Sequence, residues 1–213
     1  MNTVSFSSIF LGLVFTAMSS QAAILSNGSF ETGDFTGWIA TDLSNPFTAL
    51  SVNADAPTHG TFAATSGFDG SGPGTISIAQ DIGILSPGSR FTFDYAANVD
   101  DFFNGGERIF SVTLRPNGGG ATIHSFEIWR SQAGTFTDSG AASANLDFSP
   151  YAGQNVRVSF ELFVPGDQTG PGAFKVDNVG LTAVPEPATY GLVAGAGLMG
   201  FALWRRRVVK TQA

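Results

Sequence analysis

There is no cysteine among the 213 residues, which removes disulfides, thiolate metal sites and a cysteine nucleophile. Histidine is nearly absent too. His59 sits in a Pro-Thr-His-Gly turn and His124 begins a strand-like run; neither has a serine elbow or metal-ligand spacing around it. Basic charge is scarce, with ten Lys and Arg against 17 Asp and Glu, and four of those ten (Arg205, Arg206, Arg207, Lys210) crowd the C-terminus. Residues 23–187 therefore carry 17 acidic and six basic side chains, a net charge of −11. Such a surface repels nucleic acid and anionic polymers and suits divalent cations or neutral glycans. No helical stripe of useful length and no internal repeat runs through the body. The glycine-rich stretch Gly70-Ser71-Gly72-Pro73-Gly74 lacks the lysine and helix of a phosphate loop. With so many carboxylates, some pair will lie at a glycosidase separation of about 5–10 Å by chance, and nothing selects one. The chain reads as a non-enzyme.

Long apolar runs occur only at the two ends. Ile9 to Met18 forms a hydrophobic stretch followed by Ser19-Ser20-Gln21-Ala22, which reads as a signal peptide over residues 1–22 handed to the Sec export machinery. Its first residues, Met1 to Ser8, contain no Lys or Arg. At the other end Pro185-Glu186-Pro187 precedes 17 apolar residues, Ala188 to Trp204, and then Arg205-Arg206-Arg207. Seventeen helical residues span about 25 Å, at the short end of what crosses a bilayer. The arginines would hold residues 205–213 on the cytoplasmic side, with Trp204 at the interface, so that everything before residue 185 faces outward. An ordinary tail anchor is the plain alternative.

That order of Pro-Glu-Pro, short apolar helix and basic cluster resembles the PEP-CTERM sorting signal of bacterial envelope proteins. The resemblance implies recognition of residues 185–213 by an exosortase in a didermal bacterium that makes exopolysaccharide. It also implies an inner-membrane-anchored precursor that ends in the cell envelope, on the outer surface or in the extracellular matrix. Pro185, Glu186, Pro187 and Arg205, Arg206, Arg207 are then features read by the processing enzyme.

Between the ends, residues 23–184 alternate apolar and polar side chains. Phe91, Phe93, Tyr95, Ala97 and Val99 share one face; so do Phe110, Val112 and Leu114, and Val156, Val158, Phe160, Leu162 and Val164. Ile76, Ile78 and Ile82 make a similar face. Period-2 runs separated by Gly/Pro turns predict antiparallel sheets with one wet face each, hence an all-β, two-sheet β-sandwich. The segments Asn27 to Trp38, Leu146 to Phe160 and Phe174 to Leu181 resemble the first, penultimate and closing strands of galactose-binding-like and carbohydrate-binding-module jelly rolls. Trp38 is expected in the core.

In such sandwiches an acidic residue of the first strand often meets one of the last around a structural calcium; here these are Glu31 and Asp177. Calcium takes six to eight oxygens, and Gly28, Gly33 and nearby turns would have to supply the rest. The alternative is that both carboxylates cap turns or pair with cations. For a ligand, Trp129 is the first candidate, since alternation in Phe126-Glu127-Ile128-Trp129-Arg130 puts it on the polar face with Glu127, where it would stack on a sugar. Phe102 and Phe103, inside the acidic stretch Asp100 to Glu107, are a second aromatic pair that either meets a ligand or tucks into the core. The resulting expectation is an exported, non-catalytic jelly roll that binds glycans such as exopolysaccharide. The rival expectations are a structural matrix protein with no small ligand and, further off, a glycan-acting enzyme.

Overall fold

Alternation over eight or more residues commits a strand to bury one whole face, and four such strands organise this protein. The computed structural model describes residues 24–43, 48–68, 72–101, 106–166, 172–183 and 194–201. The first sheet contains β1 (Ile39–Thr41), β4 (Gly74–Ile84), β6 (Ile109–Pro116), β7 (His124–Arg130) and β10 (Asn155–Val164), in the order β1-β4-β10-β6-β7. The second contains β2 (Thr48–Asn53), β3 (Ala63–Phe68), β5 (Arg90–Asp100), β8 (Phe136–Asp138), β9 (Ala142–Asp147) and β11 (Gly172–Thr182). Its order is β2-β3-β11-β5-β8, with β9 also paired to β5. Every pairing is antiparallel. The protein is the β-sandwich that its alternation predicts.

Each long strand turns its expected side chains inward. Ile76, Ile78, Phe91, Phe93, Phe110, Val112, Leu114, Val156, Val158, Phe160, Leu162 and Val164 are all buried. Trp38 joins them, its indole N–H donating to the Asn27 carbonyl at 3.0 Å. Phe160, on the central strand β10, is the hub. Its ring lies 4.8 Å edge-on from Phe93 and within 6.2 Å of Trp38, Phe91 and Phe110.

Residues 194–201 form a helix whose Leu198, Met199 and Phe201 are exposed. Among the described residues no helix is long and apolar enough to cross a membrane. Residues 1–22, expected to be a signal peptide, Pro185-Glu186-Pro187, the remainder of the 188–204 segment, Arg205 to Arg207, and Phe102 and Phe103 lie outside the described residues.

Candidate functional site

The N-terminal motif earns its shape from one side chain. The Asn27 amide donates to Thr32 Oγ1 at 2.7 Å and to the carbonyls of Asp34 and Thr36 at 3.1 Å, which folds residues 27–36 into a closed turn. Asn27 and Phe30 both adopt positive φ, at 49° and 55°, so the Glu31 that follows is aimed across the sheet end. Gly28 has no substitute here: a Cβ would lie 2.1 Å from the Val179 carbonyl oxygen.

Glu31 and Asp177 do converge, but on a loop rather than on each other. Glu31 accepts from the backbone N–H of Thr61 at 2.9 Å and of Phe62 at 3.0 Å. Those two bonds hold its carboxyl below the ordinary value of 4.5. Asp177, 1% exposed, accepts through Oδ2 from the N–H groups of Thr58 (2.7 Å) and His59 (2.8 Å) and from Thr58 Oγ1 (3.1 Å). Its Oδ1 accepts from Asn178 N–H at 2.6 Å. Asp94 completes the clamp, taking Thr58 Oγ1 at 2.9 Å, Asn178 Nδ2 at 3.1 Å and Ser143 Oγ at 2.6 Å. The loop between β2 and β3 is thereby tied to the N-terminal turn and to the last strand, β11.

This arrangement does not fit calcium. The oxygens that would face a cation instead face N–H and O–H donors, and the Gly28 carbonyl accepts from Val179 N–H at 2.9 Å. Among the described residues no group of three or more His, Asp or Glu could hold a metal ion. The carboxylates act as turn caps, in line with the alternative given above, and tie the loop down by hydrogen bonds. Two outcomes follow for thermal melts. Excess EDTA should leave Tm unchanged, and a fall of several degrees would reinstate the ion. Because the folded Glu31 carboxyl is depressed, its contribution is full above its ordinary value of 4.5 and is lost as pH drops below it. The acid limb of Tm against pH should accordingly flatten in Glu31→Gln.

The face of the first sheet that turns to solvent offers a different chemistry. Phe163 on β10 is 41% exposed, flanked by Thr75 on β4 and Ile109 on β6 at the same register. One residue pair along, Glu161 on β10, Ser111 on β6 and Glu127 on β7 stand side by side, so the two carboxylates are separated by about 10 Å of sheet. Thr75, Ile109, Ser111, Ser125, Glu127, Glu161 and Phe163 line an open groove of about 440 Å³. Both glutamates are fixed from outside the groove. Arg115 pairs with Glu161, and Thr113 Oγ1 donates to it at 3.1 Å. Arg130 Nε donates to Glu127 at 2.9 Å, while Nη1 reaches Glu107 at 2.6 Å. The bond from Arg130 holds the Glu127 carboxyl below its ordinary value.

Trp129 is not on that face, which corrects the alternation argument. Phe110 pairs with Trp129 but the next residue, Ser111, pairs with Glu127; Ile128 is the extra residue of a β-bulge. A bulge shifts the face parity by one, so Trp129 falls opposite the inward Phe110 and packs, partly buried, against the core. Glu127 keeps the outward position. Phe163 takes the role of open aromatic on the first sheet. A second aromatic, Phe136, also escaped the sequence reading: it is 64% exposed, on a three-residue strand too short to show a period.

Residues 183–207 match the family model described as the PEP-CTERM protein-sorting motif. The tail is a PEP-CTERM sorting motif. A PEP-CTERM tail implies exosortase-dependent export of a membrane-anchored precursor. No curated protein matches the chain. Among solved structures, TmCBM61 in complex with β-1,4-galactotriose is 16% identical, with a TM-score of 0.49, covering 76% of this chain and 99% of that one. The cleaved adhesin domain of Lys-gingipain from Porphyromonas gingivalis is 13% identical (TM-score 0.47, 74% and 97% covered). An apo cyclase from Fischerella sp. is 17% identical (TM-score 0.43, 76% and 96% covered). Likenesses at this level assign no ligand to this chain.

Proposed function

We propose that this protein is a non-catalytic polysaccharide-binding component of the cell envelope or extracellular matrix, delivered by its PEP-CTERM tail and released from it by an exosortase. The observation that carries the binding reading is Phe163, an open ring set beside two braced carboxylates and a row of hydroxyls. A flat aromatic covers the C–H face of a sugar, while ionised carboxylates and Ser111, Ser125 and Thr75 serve its hydroxyls. The arginine braces reduce the side-chain freedom lost on binding. They also argue against hydrolysis. A general acid needs a raised pKa, and that of Glu127 is lowered.

The test is retention of the full chain, held singly in lipid nanodiscs, on immobilised neutral polysaccharides and on the producing cell's own exopolysaccharide. Phe163→Ala is expected to weaken binding at the Phe163 groove about tenfold, equivalent to about 1.4 kcal/mol, with the fold intact. A wild-type protein that elutes in the void volume from every matrix would support the second reading, a structural matrix protein without a small ligand. One observation favours that reading: Trp129, the large aromatic best suited to stacking, is used in packing instead.

A further inference from the structure

We propose a second saccharide-binding face on the outward side of the other sheet, so that one sandwich bridges two polysaccharide chains. The pairings of the second sheet set Thr48, Gly67, Ala173, Asn98 and Asp138 in a single row across five strands. Four interstrand steps make that row roughly 19 Å long. Behind it runs a second row, Ser51, Thr65, Lys175 and Ala96. Gly67 and Ala173 leave the middle of the first row low and Ala96 the β5 end of the second, and the result is a trough of about 240 Å³ walled by Thr48, Asn53, Thr65, Asn98 and Lys175.

Phe136 lies on the next strand out, just beyond the Asn98 end of this trough. It pairs with Asp100, and Asp138 pairs with Asn98. Phe136 is thus diagonal to Asn98 on the same outward face, within reach of an aromatic side chain. At 64% exposure it is the most open aromatic of the sandwich strands described. A ring at one end, amides and hydroxyls along the walls and a floor of small residues suit an extended sugar chain. The charge points to a neutral one. Lys175 is already shared between the Ala56 carbonyl at 3.3 Å and Asp55 at 3.9 Å, and the surrounding body carries a net −11, which disfavours uronates.

The two faces point away from each other through a sandwich about 10 Å thick between its sheets. Two separate strands, or two distant stretches of one, would therefore be held together. Bridging rests on the reading of the Phe163 face as glycan-binding; the Phe136 site stands on its own geometry.

The experiment uses the full chain in single-occupancy nanodiscs, the producing cell's exopolysaccharide on beads, and the same polymer, fluorescently labelled, in solution. Dextran, galactomannan and mixed-linkage β-glucan serve as further probes. Wild type should capture label on the beads. Phe136→Ala, and separately Asn98→Ala, should remain on the beads through the first face but lose at least tenfold in captured label. The Phe163→Ala, Phe136→Ala double variant should not be retained. Bridging undiminished in Phe136→Ala overturns this proposal and leaves the first face untouched. The same holds if sedimentation shows that bridging follows a two-chain species using the first face twice. No retention of the wild type on any of the four polymers overturns both readings.

Discussion

Replacing Pro185, Glu186 and Pro187 together by alanine is expected to reduce processed protein at least tenfold, leaving the full C-terminus in the membrane fraction. The reason is conformational. Proline fixes its own φ and turns the preceding residue away from helix, so the tripeptide is expected to disfavour helix directly before the apolar run that begins at Ala188. Three alanines would let helix run on through that point, presenting a processing enzyme with a buried backbone. Intact-mass measurement on the cell-derived protein reads the result directly. Wild type should end well short of Ala213 and the variant at Ala213. A wild-type chain that still ends at Ala213 would mean a plain tail anchor, and a variant processed normally would mean that the enzyme reads something other than this tripeptide.

Asp177→Ala should cost about 3 kcal/mol of stability. The carboxylate is almost completely buried and takes four donors, three of them backbone N–H groups. Removing it strands the three N–H groups, while Thr58 Oγ1 keeps Asp94, and each unsatisfied buried group costs roughly 1–3 kcal/mol before relaxation. The backbone around it is strained as well, for Phe30, Ala56 and Asn178 all hold positive φ, a conformation that persists only where neighbours enforce it. For a body of this size the loss corresponds to a fall in Tm of roughly 10 °C. Asp177→Asn keeps one acceptor oxygen and should lose less. A Tm change under about 2 °C in Asp177→Ala would show that the loop between β2 and β3 does not need its clamp.

The clamp and the groove were legible to different degrees in the residues, for physical reasons. Strands β4, β5, β6 and β10 declare themselves because eight to eleven residues of alternation leave no other face to bury. The same rule misplaced Trp129, since one bulged residue at Ile128 is enough to invert parity and nothing in Phe126-Glu127-Ile128-Trp129 announces it. Glu31 and Asp177 are visible in the sequence as acids near the two ends of the body. Their partners, the amides of residues 58–62, sit more than a hundred positions from Asp177, and no local pattern ties them to it. Phe163 occupies the outward parity of a strand whose apolar pattern is carried by its inward residues, so alternation alone does not single it out. Phe136 lies on only three paired residues, below the length at which a period can be seen.

The strands that terminate the sheets are mostly brief. β1 and β8 pair over three residues each, and β2 slips register between Thr48 and Ser51. Short or irregular margins give a neighbouring copy little backbone to zip onto. Crowded at high density in a polymer gel, these sandwiches should stay discrete particles instead of seeding fibrils, so that cohesion of the gel is left to sugar contacts and can be undone by competing saccharide.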